Sequence, residues 1–337
     1  MRIVDAELYD LAAMKAEMDR TSHPIGPLVR AMDEKCGGEN GRDIHWGATT
    51  QVIMDTGQIL QIKDAWTFIT RDLKTLAGIL AKLAKDYEFA VMAGRADGQQ
   101  AQPIAFGYKV AIWLDELKRH QVRMTEANER LFVGQFSGAV GSMAALGEPG
   151  LIIQKRMMDI LALKQPTICW HVARDTMAEA AAVMAMLAGT IGKIAHEIYI
   201  LQKSEVAELE EPMSKGKIGS STMPHKRNPA ICETIVALAR ATKGCVVQAF
   251  DNLLAEHERD KVGLQTEREY VARLRAMTHS AVKKMILVSG ALSVRSENMR
   301  QNLEITEELM LSEAVMMALA SVIGCQEAHK VVYKIAQ

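Results

Sequence analysis

Cysteine, aromatic residues, proline and unbalanced charge are all in short supply in this chain, and each shortage removes a class of protein. The five cysteines, Cys36, Cys169, Cys232, Cys245 and Cys325, are odd in number, far apart and without a Cys-x-x-Cys pair. That spacing argues against a disulfide scaffold or a zinc framework and fits reduced thiols in a cytoplasmic protein, with no metal expected. Lysine and arginine (40) nearly cancel aspartate and glutamate (41), so no whole-molecule field draws the protein to nucleic acid or an anionic membrane. No uninterrupted run of about 18 apolar residues is found, and Asp5 and Glu7 stand where a signal peptide would be apolar. A soluble, untargeted chain with neither nucleic-acid nor membrane partners is expected.

Aromatics make up only 5% of the residues and strand formers do not cluster; alanine, leucine and 21 methionines supply the apolar content. Such a composition suits close helix packing with flexible gap filling. The eight prolines leave long intervals free, notably from Pro27 to Pro103 and everything after Pro229. Within those intervals apolar residues recur at alternating spacings of four and three. One stripe is Ile62, Trp66, Ile69, Leu73, Leu76, Leu80, Leu83 and Tyr87; a second is Ala180, Met184, Leu187, Ile191, Ile194, Ile198 and Leu201. Val271, Leu274, Thr278, Ala281, Met285, Val288 and Leu292 form a third, and all three predict long amphipathic rods. Further helices are expected over 107–132, 151–163, 229–258 and 303–322, with joints near 36–49, 93–104, 134–150 and 205–228. The stripes are longer than one small bundle is expected to bury, so partner subunits are expected to cover them.

The joint 205–228 is the longest, and chemistry crowds into it. Gly216, Gly219, Ser220, Ser221, Lys217, His225, Lys226, Arg227 and Asn228 have the composition of an anion site, with glycines that let amides turn toward a ligand, hydroxyls and cations. A solvated basic loop is the plainer alternative, and the Walker A phosphate pattern is not matched. The run Gly219-Ser-Ser-Thr-Met-Pro-His-Lys-Arg-Asn-Pro229 resembles the signature loop of the fumarase/aspartase superfamily, nearest the branch of adenylosuccinate lyase and 3-carboxy-cis,cis-muconate cycloisomerase. His45-Trp-Gly-Ala-Thr-Thr-Gln51 resembles that family's first block, and Gly94-Arg-Ala-Asp-Gly-Gln-Gln-Ala-Gln-Pro103 its second.

The resemblance implies an all-α fold, a long-helix bundle of the fumarase/aspartase type whose central helices merge into a tetrameric core. It divides the chain into residues 1–56 with the first block, a bundle over 57–300 carrying the second block and the loop, and the start of a C-terminal helical domain at 301–337, a domain that continues further in family members. It also implies β-elimination through an aci-carboxylate on a small carboxylate substrate, without cofactor. Ser220 would take the proton, with His45 and Asp97 at the reacting centre. Thr49, Thr50, Gln99, Ser221, Met223, Lys226, Asn228 and Arg259 would hold substrate, and each site of a homotetramer would draw on three subunits. Plainer roles exist for several of these residues: a capping or core histidine at 45, helix caps at Thr49 and Thr50, an ion pair for Arg259, loop orientation for His225 and Arg227.

The second block reads Ala96-Asp97 where the family usually has Thr-His, and that histidine is the usual proton donor of the C–N lyases. Three functions follow. The first is a lyase or cycloisomerase of 3-carboxy-cis,cis-muconate type acting on a small polycarboxylate. The second is an adenylosuccinate-type C–N lyase releasing fumarate. A non-catalytic structural or binding protein on the same scaffold is the third.

Overall fold

The computed structural model describes residues 5–38, 41, 43–213, 222–223 and 225–336. Helices α1 (Leu11–Thr21) and α2 (Gly26–Cys36) precede α3 (Thr50–Asp86), a 37-residue rod about 55 Å long. A hairpin of β1 (Val91–Ala96) and β2 (Gln99–Ala105) joins it to α4 (Phe106–Leu131), followed by α5 (Gly150–Leu161) and α6 (Asp175–Leu201). The two-residue strand β3 (Leu209–Glu210) comes next, then α7 (Ala230–Asp251) and α8 (Lys261–Gly290). Strand β4 (Ser293–Val294) returns antiparallel to β3, and α9 (Ser296–Leu303), α10 (Ser312–Ile323) and α11 (Cys325–Ala336) close the order. The fold is all-α apart from these two small ribbons.

Two compact units are formed, one from Met1–Asp64, Ala127–Ala180 and Ala249–Arg268, the other from Ala65–Glu126, Ala181–Gln248 and Glu269–Gln337. The first packs Val52, Ile59, Ile62, Leu131, Met158 and Met177 around a buried polar cluster. The second buries the heart of each rod: Trp66, Ile69, Leu73, Leu76 and Leu80 on α3, Leu187, Ile191, Ile194 and Ile198 on α6, and Leu274, Ala281, Met285 and Val288 on α8. Trp66 donates its indole N–H to the Met124 carbonyl at 3.2 Å, which satisfies the one polar atom of that stripe's largest side chain. The three stripes are therefore covered within the chain itself, and the expectation that they outrun one chain's capacity is corrected. Other positions carry the outward apolar surface of this unit: Phe68 on α3, Ile112 and Val122 on α4, Met186 on α6, Val247 on α7 and Leu287 on α8 are exposed.

Three boundaries differ from the expected ones. The joint at 93–104 is a β-hairpin with Ala96 paired to Gln99 across a two-residue turn, Asp97 (φ 52°) and Gly98 (φ 80°). An Asp-Gly pair suits this turn because both residues tolerate the left-handed region that a tight hairpin needs. The helix expected over 303–322 is broken by Glu307 (φ 48°) and Glu308 (φ 67°), so α9 ends at Leu303 and α10 starts at Ser312. Helix α7 stops at Asp251 rather than 258, and the following loop is held by Asn252, whose side-chain amide donates to the Gly263 carbonyl at 2.9 Å. One described helix, α6, is also long and apolar enough to cross a membrane, although 72% of the qualifying window is buried. A strict apolar count misses it because Glu179 and small residues interrupt the run.

Two buried histidines make stability pH-dependent. His120 on α4 lies 2.8 Å from Thr190 Oγ1 of α6 and is 3% exposed. Burial, then the charge of Arg123, lowers its pKa to about 4, against the pull of Glu116. In the other unit His171 is likewise lowered to about 4. An unfolded histidine binds its proton near its ordinary pKa of about 6.5, so the unfolded state holds more protons between pH 6.5 and 4, and stability falls as pH drops through that window. We expect His120 alone to contribute a loss of at most about 3 kcal/mol by pH 4. Denaturant unfolding at a series of pH values checks this, and His120→Gln should flatten the slope.

Candidate functional site

In the first unit, the turn Asp43–Gly47 delivers the first block to the start of α3. His45 adopts φ 68° and Gly47 φ 66°, and a Cβ on Gly47 would lie 2.3 Å from Leu146 Cδ2, so glycine is required there. Helix α3 then begins at Thr50. Thr49 is buried, and its Oγ1 accepts a hydrogen bond from Arg259 Nη1 at 2.7 Å. Thr50 Oγ1 lies 3.4 Å from His23 Nε2, which adds a second histidine to this corner. Arg259 thus meets a hydroxyl of the first block rather than an acid. His45 Nε2 is buried without a partner, and the residue borders a cavity of about 490 Å³ shared with Trp46, Ile53, Phe136, Leu146 and Ile153.

Beneath this corner lies an ion cluster absent from the expected site. Arg174 grips both oxygens of Asp55 at 3.1 and 3.2 Å, donates from Nε to Glu267 Oε2 at 3.0 Å, and makes a second bond to Glu267 Oε1. All three residues are no more than 4% exposed. Trp170 lies over the guanidinium at 5.1 Å, and Gln135 donates to Asp55 at 2.7 Å. Burial pushes the Asp55 carboxyl up against the pull of Arg174; burial works against the guanidinium too, but Asp55 and Glu267 outweigh it and raise its pKa. Gln51 connects the cluster to the first block, donating to Asp55 at 3.2 Å and to the His171 carbonyl at 2.8 Å. A signal for this existed in the sequence. Gln51 and Asp55 continue the buried stripe of Ile59, Ile62 and Trp66, and Glu267 sits on the stripe of Leu264, Val271 and Leu274, so each places an acid on an apolar face where a cation must meet it.

In the second unit, the second block forms the hairpin. Arg95 makes a two-pronged bond to buried Glu208, at 2.7 and 3.1 Å, while Asp97 and Gln99 are exposed at the tip. Among the described residues of the signature loop, Met223, His225, Lys226, Arg227 and Asn228 border a cavity of about 740 Å³ with Lys203, Glu233 and Arg295; Asp97 and Gln99 are not among its walls. Arg227 donates to Glu210 at 2.6 Å, and Arg295 holds the other oxygen of the same carboxylate. Burial alone would push Glu210 up, but these two arginines hold it below the usual carboxylate range. Its neighbour Glu211 accepts from the amides of Ile231 (3.0 Å) and Cys232 (2.9 Å), capping the first turn of α7. Arg227 therefore orients the loop's exit and leaves Lys226 exposed to the cavity. Ser220 and Ser221 lie outside the described residues.

A lyase family profile matches residues 1–244. The chain is 41% identical over 335 residues to the N-acetyl-S-(2-succino)cysteine lyase of Enterococcus italicus, covering 99% of this chain and 73% of that protein. It is 40% identical over 316 residues to the adenylosuccinate lyase of Pyrococcus horikoshii, covering 93% and 70%. The crystal structure of 3-carboxy-cis,cis-muconate lactonizing enzyme from Pseudomonas putida superposes with a TM-score of 0.91 at 34% identity, over 99% of this chain and 74% of that one.

Proposed function

Because this chain belongs to the fumarase/aspartase superfamily of lyases, we propose that it eliminates a leaving group from a small polycarboxylate through an aci-carboxylate, the bond broken being C–S. Ser220 removes the proton beside one carboxylate, and its electrons pass into that carboxylate. Lys226 and Asn228 hold the doubly charged group, while Thr49, Thr50 and Arg259 hold the other carboxylate. The electrons then return to form the C=C bond as the neighbouring carbon releases its substituent. The observation that carries this reading is the bond from Arg259 to Thr49, which places a cation and two hydroxyls at the start of α3.

The choice of bond rests on Asp97. A departing amine needs a proton, and a carboxylic side chain is a poorer donor near neutrality than the family's usual histidine. A thiol, with a pKa of about 8.5, leaves as its anion far more readily. The similarity to a lyase named for a succinylated cysteine points the same way. A carboxylate leaving group, as in the cycloisomerase reading, shares this independence from a strong acid and is the second candidate; the C–N reading is third. Turnover of succinyl thioether, lactone and secondary-amine substrates distinguishes them. The thioether is expected to be fastest, by at least about a hundredfold over the amine; an amine turned over equally well would restore the C–N reading.

Lys226→Met should weaken binding of an unreactive dicarboxylate such as succinate about tenfold or more, by loss of a charged hydrogen-bond donor. Unchanged affinity by calorimetry would place the carboxylate elsewhere. We also infer a homotetramer with sites shared among subunits, supported by the exposed apolar residues of the long helices. If the first block and the loop of each site come from different copies, mixing and refolding His45→Ala with Ser220→Ala regenerates about a quarter of the sites. No recovery from well-folded mixed oligomers would return the site to one subunit.

A further inference from the structure

One buried side chain is not used by the reaction above. His171 is 2% exposed, and apart from the Glu258 carbonyl that faces its ring neither Nδ1 nor Nε2 meets a polar group, whereas buried polar atoms nearly always find a partner. Its surroundings are cationic. Arg174 follows it in its own segment, and Arg259 acts on it from the 252–260 loop, where the Glu258 carbonyl also faces the ring. From α3, Gln51 donates to its backbone carbonyl. The nearby acids are already committed, since Asp55 of α3 and Glu267 of α8 both pair with Arg174. Arg259, by contrast, gives its hydrogen bond to the hydroxyl of Thr49.

Resting on the carboxylate site described above, we propose that His171 is a positioning residue for that site, a proton acceptor held behind Arg259 that becomes charged when an anion binds at Thr49 and Arg259. In the free protein, burial and then the fields of Arg259 and Arg174 keep the ring neutral. Arg174 is already balanced by two carboxylates, so the field that changes on binding is that of Arg259. An anion against Arg259 cancels this repulsion, and the ring takes one proton from solvent. The imidazolium then adds a second positive charge behind the anion and holds Arg259 toward it. Linkage makes the effect reciprocal: anion binding favours the proton, and the proton favours the anion.

The test is calorimetric titration of the intact protein with succinate at about pH 5, one unit above the value of about 4 that burial and the two arginines set for the free ring, in buffers of different ionisation enthalpy. Comparison of wild type with His171→Gln cancels succinate's own protonation. Wild type is expected to take up a few tenths to about one more proton per site than the variant, and the variant to bind succinate about tenfold more weakly. Should His171→Gln fold poorly, nitrogen-15 NMR of the wild-type imidazoles supplies the same readout: one ring converts from neutral to charged on addition of succinate. Succinate binding with equal proton uptake in both proteins, or with no ring changing state, overturns the role of His171 alone. Absence of succinate binding removes the carboxylate-site reading, and this inference with it.

Discussion

Ser220→Ala is expected to turn over substrate about a thousandfold more slowly than the wild-type enzyme while binding succinate within about threefold of it. The split between rate and binding is the informative part. A general base acts on the proton in flight and adds little to the grip on a bound carboxylate, which we propose falls to Lys226, Asn228, Thr49 and Arg259. Serine is a weak base near neutrality, so in this role it would depend on nearby cations and amides and on exclusion of water from the site. Steady-state kinetics with succinate inhibition reads both quantities. Turnover retained in Ser220→Ala would move the base to another residue, and a loss confined to affinity would make Ser220 a binding group.

Arg174→Met is expected to have the largest effect on stability. Removing the guanidinium leaves Asp55 and Glu267 buried without the cation that bridges them, a change that costs about 3–5 kcal/mol. For a chain of this size that is a fall in melting temperature on the order of 10 °C. Adding Asp55→Asn and Glu267→Gln should recover part of the loss, because the uncompensated charges go with them. Arg174→Lys should recover less, since an ammonium lacks the fork that reaches four carboxylate oxygens. A loss below about 1 kcal/mol in Arg174→Met would show that the cluster is not load-sharing in the folded state. Activity should fall as well, because Gln51 ties the same cluster to the segment that bears Thr49 and to His171.

The long helices were readable from spacing alone: each apolar stripe on α3, α6 and α8 is buried where its period places it. What period cannot convey is how much of a stripe one chain covers, and there the expected need for partners was misplaced. The signature loop and first block were readable as motifs, and the bond between Thr49 and Arg259 joins two residues 210 positions apart that motif reading had placed in one site. Asp97 shows the opposite hazard. Sought as a replacement acid, it is also the first residue of an Asp-Gly hairpin turn, a local backbone demand visible in two letters. The Arg174 cluster went unread because its three members come from three distant segments, although two acids on apolar stripes announced a buried cation. Breaks at Glu307 and Glu308 carry no such signal, as glutamate is a good helix former and yet both residues adopt the left-handed region here.

Formation of an aci-carboxylate held by the loop and first block is the central claim, and the affinity of a nitronate tests it most directly. The nitronate of 3-nitropropionate is planar at the reacting carbon and carries a formal negative charge on each of two oxygens, as the intermediate does, whereas succinate has the tetrahedral carbon and singly charged carboxylate of the ground state. A site built for the intermediate should bind the nitronate at least about a hundredfold more tightly than succinate, and Lys226→Met should erase most of the difference. Equal affinity of the two ligands for the wild-type enzyme would contradict the account.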